Sequence, residues 1–168
     1  DRPRIAEKID QAKAMQIELR KLQQTAQKDG NASPKPRMSF EDEMTRALEH
    51  QEADRNQEAE DIYRSILKRD PNHVEAARLL ARIAMDHERY GEAEIFLTHA
   101  LQNAPDYARA WIDLVNAQQK QDKLDEATAS AIELLKITPD SPESHMMYAG
   151  VIGSAGHHVE AIIAYKKA

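Results

Sequence analysis

The sequence predicts an all-α fold of stacked helical hairpins, and three observations carry that prediction. Pro71, Pro105 and Pro139 are spaced by 34 residues, and Ala59, Ala93, Ala127 and Ala161 repeat at the same interval. Within each interval, apolar residues recur at i, i+3, i+4 and i+7, the period of one helix face. A weaker register, Ala47, Ala81, Val115 and Ala149, keeps the spacing with small or modest side chains.

Composition bounds the class. The chain has 168 residues, 41% hydrophobic and 31% charged, with no cysteine and a net charge of −6. That is one domain's length of water-compatible sequence. No run approaches the roughly 18 consecutive apolar residues of a membrane span, and no apolar signal-peptide core lies near Asp1. The first residue is Asp rather than Met, which leaves room for a removed leader. Lack of cysteine excludes a disulfide framework and thiolate metal sites and fits a reducing, cytoplasmic setting.

Residues 1 to 37 hold nine basic side chains (Arg2, Arg4, Lys8, Lys13, Arg20, Lys21, Lys28, Lys35, Arg37) and five acidic ones (Asp1, Glu7, Asp10, Glu18, Asp29), a surplus of +4 that leaves −10 for the rest. The arm carries no aromatic residue on which bases would stack, so nucleic acid is not the expected partner. Residues 1 to 28 are expected to form one long helix, because 3 to 28 are rich in Ala, Gln, Lys and Glu without Gly beyond the opening proline. A heptad frame places Ile5, Lys8, Ala12, Met15, Leu19, Leu22 and Ala26 at its seam, with Lys8 the misfit. This stripe either docks on the chain's own repeats or forms a homodimer, and the sequence leaves both open. Residues 29 to 39, with Gly30, Pro34 and Pro36, read as a linker, and Ser39 as the cap of the first repeat helix.

The repeats occupy 40 to 168 as units 40–73, 74–107, 108–141 and a shorter 142–168. The first unit has its stripe at Ala59, Ile62, Tyr63, Ile66 and Leu67. The second has Ala77, Leu80, Ala81 and Ala84, then, past the polar break at 87 to 89, Ala93, Phe96, Leu97, Ala100 and Leu101. The third has Trp111, Leu114 and Val115, then Ala127, Ala131, Leu134 and Leu135; the fourth has Tyr148, Ala149 and Ile152, then Ala161, Ala164 and Tyr165. Small residues at the repeated Ala positions let paired helices approach closely, and larger ones fill the gap between units. Each proline, lacking an N–H and crowding the preceding turn, ends a helix. Asp106 and Ser141 are candidate N-caps after those turns.

These residues resemble the tetratricopeptide repeat (TPR) family. Trp111, Leu114, Ala127 and Pro139 match its pattern in the third unit, Leu80, Ala93, Ala100 and Pro105 in the second, Ala59, Tyr63 and Pro71 in the first, and Gly156, Ala161, Tyr165 and Ala168 in the fourth. Glu43 and Arg46 depart from the family's Trp and Leu in the first unit. The resemblance implies a right-handed α-α superhelix, a TPR solenoid. The apolar face of the last unit has no following neighbour, so the chain is expected to continue past Ala168.

Catalytic and metal chemistry find little purchase. The five glycines form no phosphate loop, and Gly150, Gly153 and Gly156 read as close helix packing and a turn. The seven histidines show no i, i+4 pair to mount a metal. No cofactor is expected, and these residues are not expected to form an enzyme.

The resemblance implies that the first helix of each unit lines a concave groove for a protein or peptide. Carried over by position, it places Glu75, Arg78, Leu79, Arg82, Met85 and Asp86 there from the second unit. Arg109, Ile112, Asp113, Asn116, Gln119 and Lys120 come from the third, and Glu143, Met146, Met147, Gly150, Gly153 and Ser154 from the fourth. Arg78, Arg82, Arg109 and Asn116 are the expected polar centre, flanked by Asp113 and Lys120, with Met146 and Met147 as an adaptable apolar end. The alternative is that Arg78 and Arg82 pair with Glu75, Asp86 or Asp113. A chaperone-tail clamp is excluded, since Met44, Leu48, Asp113, Glu143 and Met147 occupy places that need Lys, Asn or Arg.

Residues 79 to 85 and 104 to 111 also resemble the N-terminal repeats of bacterial TPR-sulfotransferases, which would put catalysis beyond Ala168. The leading expectation is a protein-binding scaffold, without nucleic acid or membrane partners. A substrate-presenting domain of a sulfotransferase and an oligomerisation module built on the N-terminal helix are the alternatives.

Overall fold

A computed structural model of the chain describes residues 38 to 166. The predicted N-terminal helix and most of the linker lie outside the described residues. Among those described there are eight α-helices and no strand: α1 (Phe40–Glu52), α2 (Asn56–Arg69), α3 (Val74–Asp86), α4 (Tyr90–Asn103), α5 (Ala108–Lys120), α6 (Leu124–Ile137), α7 (Pro142–Ser154) and α8 (His158–Tyr165). The chain divides into two compact units, Asp1–His73 and Val74–Ala168.

In the first unit α1 packs on α2. Ser39 caps α1, its Oγ accepting the Asp42 N–H at 3.1 Å, and Glu41, Asp42 and Glu43 complement the dipole of the first turn. The hairpin core is thin, with Ala47, Ala59, Tyr63, Ile66 and Leu67 buried. Glu43, which stands where the family places Trp, is tied to Arg69, whose guanidinium lies 4.7 Å from the Phe40 ring. Phe40 meets His73 edge-on at 5.6 Å. An ion pair and a cation–π contact thus fasten the end of the hairpin that an indole would otherwise fill.

The second unit stacks three hairpins: α3 on α4, α5 on α6 and α7 on α8, with α4 against α5 and α6 against α7. One cluster joins Ala81, Ala84, Ala93 and Leu97 to Ala110, Leu114 and Ala117, and a second joins Val115, Ala127, Ala131 and Val151. Ala93 and Ala127 are wholly buried, as close approach of the paired helices requires. Gly153 is a packing glycine: a Cβ there would lie 3.5 Å from Ala161.

Every hairpin turns through a left-handed residue, and these recur at 34: Asp54, Glu88 and Asp122 at φ 57° and Gly156 at φ 89°. The following N–H closes the turn onto a carbonyl five residues back, from Arg55 to His50 at 2.8 Å, Arg89 to Ala84 at 2.7 Å, Lys123 to Gln118 at 2.9 Å and His157 to Ile152 at 2.9 Å. A side chain at such a φ costs on the order of 1 kcal/mol, and less for Asp. Glu88→Gly is therefore expected to raise stability by about 0.5 kcal/mol after the extra freedom of the unfolded glycine is counted. Gly156→Ala, with nothing within 4 Å to clash with, should lose about 1 kcal/mol to backbone strain alone. Urea midpoints check both, and unchanged midpoints would refute the strain argument.

The prolines follow the ends of α2, α4 and α6, whose C-caps are Asp70, Ala104 and Thr138. Ser141 caps α7 by accepting the Ser144 N–H at 3.4 Å. Asp106 is not a cap: α5 begins one residue later than expected, its N-cap is Tyr107, and no side chain closes its first turn. Trp111 instead ties that turn down, its indole N–H donating to the Pro105 carbonyl at 2.8 Å. The ring of His145, 34 residues on, meets the Pro139 carbonyl at 2.8 Å.

Candidate functional site

The sequence-predicted residues lie on the first helices of the second unit's hairpins. Arg78 and Arg82 stand one turn apart on α3, Arg109, Asp113, Asn116 and Lys120 follow the i, i+4, i+7 stripe of α5, and Met146 and Met147 lie on α7. Because α3 lies beside α5 and α5 beside α7, three helices present this set together.

Arg78 is 6% exposed, and its charge is balanced by two carboxylates. Its Nε and Nη2 donate to the two oxygens of Glu75 at 3.1 and 2.8 Å, and Nη1 donates to Asp113 Oδ2 at 3.0 Å. The Tyr107 hydroxyl donates to the same Glu75 carboxylate, and the guanidinium lies 5.8 Å from the Tyr107 ring. A buried charge must be paired and hydrogen-bonded, and a guanidinium fork meets that demand from two carboxylates at once. The network joins α3 to α5 through a pair whose members are 35 residues apart in sequence.

The electrostatics follow from this geometry. Burial alone pushes the Glu75 carboxyl up, but hydrogen bonds from Arg78 and Tyr107 and the charges of Arg78 and Arg109 outweigh it and hold the group below the ordinary carboxylate range. Burial pushes the Asp113 carboxyl up, and the opposing hydrogen bond and charge of Arg78, with the charge of Arg82, leave it raised. Burial and the bond to Glu75 raise the Tyr107 phenol. Burial alone would lower the Arg78 pKa, but Glu75, Tyr107 and Asp113 override it and push the guanidinium pKa further up, so it stays charged.

Arg82, Arg109, Asn116 and Lys120 contrast with Arg78. Arg82, Arg109 and Lys120 are exposed and Asn116 half-buried, and none of their side chains makes a hydrogen bond or ion pair among the described residues. Met146 is 55% exposed, while Met147 packs on Val115, Ala127, Ala131 and Val151. Of the partners weighed for Arg78, Glu75 and Asp113 engage it; Asp86 is exposed on the last turn of α3. Leu79, which the resemblance placed in the groove, is buried at 4%.

Tyr107 belongs to this site and was not singled out from sequence; its one signal is its place directly before α5. Beside it an open hollow of about 400 Å³ is lined by Val74, Glu75, Ala104, Asp106 and Tyr107. A second unforeseen network centres on Glu94, which accepts from Lys123 at 2.6 Å, Gln121 at 3.1 Å and Gln118 at 3.3 Å; Ser130 donates to Gln118 at 2.8 Å. It pins α4 to α5 and α6. Among the described residues no group of three His, Asp or Glu is arranged to hold a metal, and no helix is long and apolar enough to cross a membrane.

Two family models described as tetratricopeptide repeat match the chain, one over residues 44–108 and one over 84–151. The chain belongs to the tetratricopeptide repeat family. No curated protein matches it in sequence comparison. Among solved structures, MamA residues 41 to the end from Desulfovibrio magneticus RS-1 is similar at 19% identity and TM-score 0.70, covering 98% of this chain and 89% of that one. PilF of Pseudomonas aeruginosa gives 20% identity and TM-score 0.70 over 77% of this chain and 59% of that one. The first TPR of Spaghetti (RPAP3), solved bound to the HSP90 peptide SRMEEVD, gives 17% and 0.66 over 70% and 93%. At such identities the likeness is one of TPR fold.

Proposed function

We propose that this chain is a protein-interaction module whose second unit takes an acidic segment of a partner across α3, α5 and α7. The observation that carries the reading is the division of labour among its cations. Arg78 is consumed by Glu75 and Asp113, while Arg82 and Arg109, close enough to act on those same carboxylates, make no bond of their own among the described residues. The three guanidinium groups outnumber the two carboxylates, and the two whose side chains make no hydrogen bond suit a partner's carboxylates. Asn116 is placed to meet the segment's backbone, Lys120 adds a second cationic point, and Met146 with Met147 offers polarizable apolar contact. Family membership supports the reading, as does a neighbour of this fold that was solved with the HSP90 peptide SRMEEVD. Arg78 and Asp113 act here as positioning residues beneath the contact surface.

An array of random dodecapeptides probed with the labelled chain tests this. Peptides rich in Asp and Glu should be enriched, and Arg82→Glu with Arg109→Glu should remove that enrichment at least tenfold while the helical signal is unchanged. Enrichment of basic or uncharged peptides, or indifference to the double substitution, would overturn the reading.

A further inference from the structure

Asp113 is a carboxylate that the fold does not require. Arg78 already has a complete partner in Glu75, whose two oxygens accept from Nε and Nη2 at 3.1 and 2.8 Å, so one guanidinium and one carboxylate balance in charge and in geometry. Asp113 adds a second negative charge, accepting from Nη1 at 3.0 Å with its side chain only 16% exposed. The neighbouring hairpins fill the same register with apolar side chains, Leu79 on α3 and Met147 on α7. Burial leaves the Asp113 carboxyl raised despite Arg78 and Arg82, so its ionised form works against folding. A charge beyond what the ion pair needs, and one that costs stability where an apolar residue would serve, calls for a role at the surface it supports.

The charges around Asp113 point to that role. α3 brings Arg78, Arg82 and Glu75 to act on it, and Arg109 stands one turn ahead of it on α5. The other elements packed on α5 add no charge at this register. α4 and α6 meet α5 through Ala110, Leu114, Ala117 and Val115, and Glu94 and Lys123 there bond to each other. On α7 the residues nearest in register are Met147 and Tyr148; Glu143 is exposed in the first turn, and the ring of His145 meets the Pro139 carbonyl. Three guanidinium groups against two carboxylates leave a surplus of +1 around Asp113. Glu75 is held below the ordinary carboxylate range and the Tyr107 phenol is raised, so on mild acidification Asp113 is the group that changes, and the surplus becomes +2. We propose that Asp113 is a competitor built into the groove: tied to Arg78 one turn from Arg82, its carboxylate opposes the capture of a partner's acidic segment at neutral pH and ceases to do so once protonated. The proposal rests on the acidic-partner reading of the α3, α5 and α7 surface and adds its regulation. By linkage, the partner raises the proton affinity of Asp113 by the same factor as the proton raises the affinity for the partner.

Calorimetric titration of the full chain and of Asp113→Asn with a peptide of alternating cysteic acid and serine is the test, because sulfonates keep their charge throughout the carboxylate range. The readout is the ratio of the two affinities, in which the contributions of the histidines and of net charge, common to both proteins, cancel. Asp113→Asn should bind about tenfold more tightly at about pH 7.5, and that advantage should close toward equality at about pH 4 as Asp113 of the unsubstituted chain takes up its proton. Asp113→Leu, the residue of the preceding hairpin at this register, repeats the comparison with a side chain that the fold already accepts there. On an Arg82→Gln background the advantage of Asp113→Asn should shrink, because the contested guanidinium is gone. Substitutions at Asp113 that bind no more tightly at about pH 7.5, or whose advantage is the same at every pH, would overturn the proposal and leave the acidic-partner reading standing. Failure of the unsubstituted chain and the variants alike to bind the peptide anywhere in this range would overturn both.

Discussion

Arg78→Met is expected to lower the unfolding free energy by about 2 kcal/mol at neutral pH. The substitution keeps an aliphatic stem of similar reach and removes the charge that Glu75 and Asp113 share. Deleting one partner of a fully buried ion pair costs roughly 3–5 kcal/mol, and partial exposure of the Glu75 side chain, 37%, lets water take up part of that loss. The pH dependence separates charge from packing. Glu75 sits below the ordinary carboxylate range, so its contribution is present above that range and is lost as pH falls through its folded value. Asp113 sits above the range, so its ionised form opposes folding at neutral pH and ceases to do so as it takes up a proton. Without Arg78 the Glu75 carboxyl is no longer held down and Asp113 is raised further, so both protonate sooner on acidification. The gap between wild type and variant should therefore be full at neutrality, begin to close above the ordinary carboxylate range as the variant's carboxyls take up protons, and go on closing below it as wild-type Glu75 protonates. Urea unfolding at pH 7 and at about pH 3.5, below the free-carboxylate value near 4, reads this directly. A gap indifferent to pH would mean that Arg78 acts through its stem alone. Arg78→Lys should recover only part of the loss, since a single ammonium does not reproduce a fork between two carboxylates.

The architecture was legible because a repeat writes its packing several times over. A buried Ala at one position is ambiguous, whereas Ala59, Ala93, Ala127 and Ala161 at one spacing identify the contact between paired helices, and all four are buried. The left-handed turn was recognised only at Gly156. Asp54, Glu88 and Asp122 occupy the same conformation without the residue that advertises it, and the spacing alone would have found them. Arg78 and Arg82 were indistinguishable as a pair four residues apart. What separates them is Asp113 and Tyr107, delivered by the next hairpin, and no local pattern on α3 encodes that. The Glu94 network was hidden for the same reason, its three donors lying 24 to 29 residues away. Although Glu43 departs from the family pattern, α1 forms, because Arg69 and Phe40 replace with charge and ring what an indole would contribute by area.

Leu97→Ala is expected to be the most damaging single change, at about 3 kcal/mol. Leu97 is wholly buried on α4, in a cluster where Ala81, Ala84, Ala93, Ala110 and Ala117 are already minimal side chains and Leu101 and Leu114 are the larger buried ones. Alanines on regular helices have no rotamer to swing into the space, and Leu101 and Leu114 can fill only part of it, so much of the cavity should stay open and the loss should fall within the Leu→Ala range. The converse change at the neighbouring register, Ala93→Leu, adds atoms at a wholly buried position of the same cluster and should cost about 2 kcal/mol through displaced helix axes. The position also decides how the loss is expressed. In a stacked array each hairpin touches only its neighbours, so stability is a sum of hairpin and interface contributions. Leu97 serves both, facing α3 within its hairpin and α5 in the next. Leu97→Ala should therefore uncouple α3 and α4 from α5 to α8, lowering the urea midpoint and the steepness of the transition together, as two smaller units unfold separately. Ile132→Ala, at a site 39% exposed on α6, should shift neither by a comparable amount. Hydrogen exchange localises the effect. Amides of α3 and α4 should lose protection ahead of those of α6, whereas uniform loss across the second unit would show that the hairpins unfold as one body and that nearest-neighbour coupling is the wrong description of this chain.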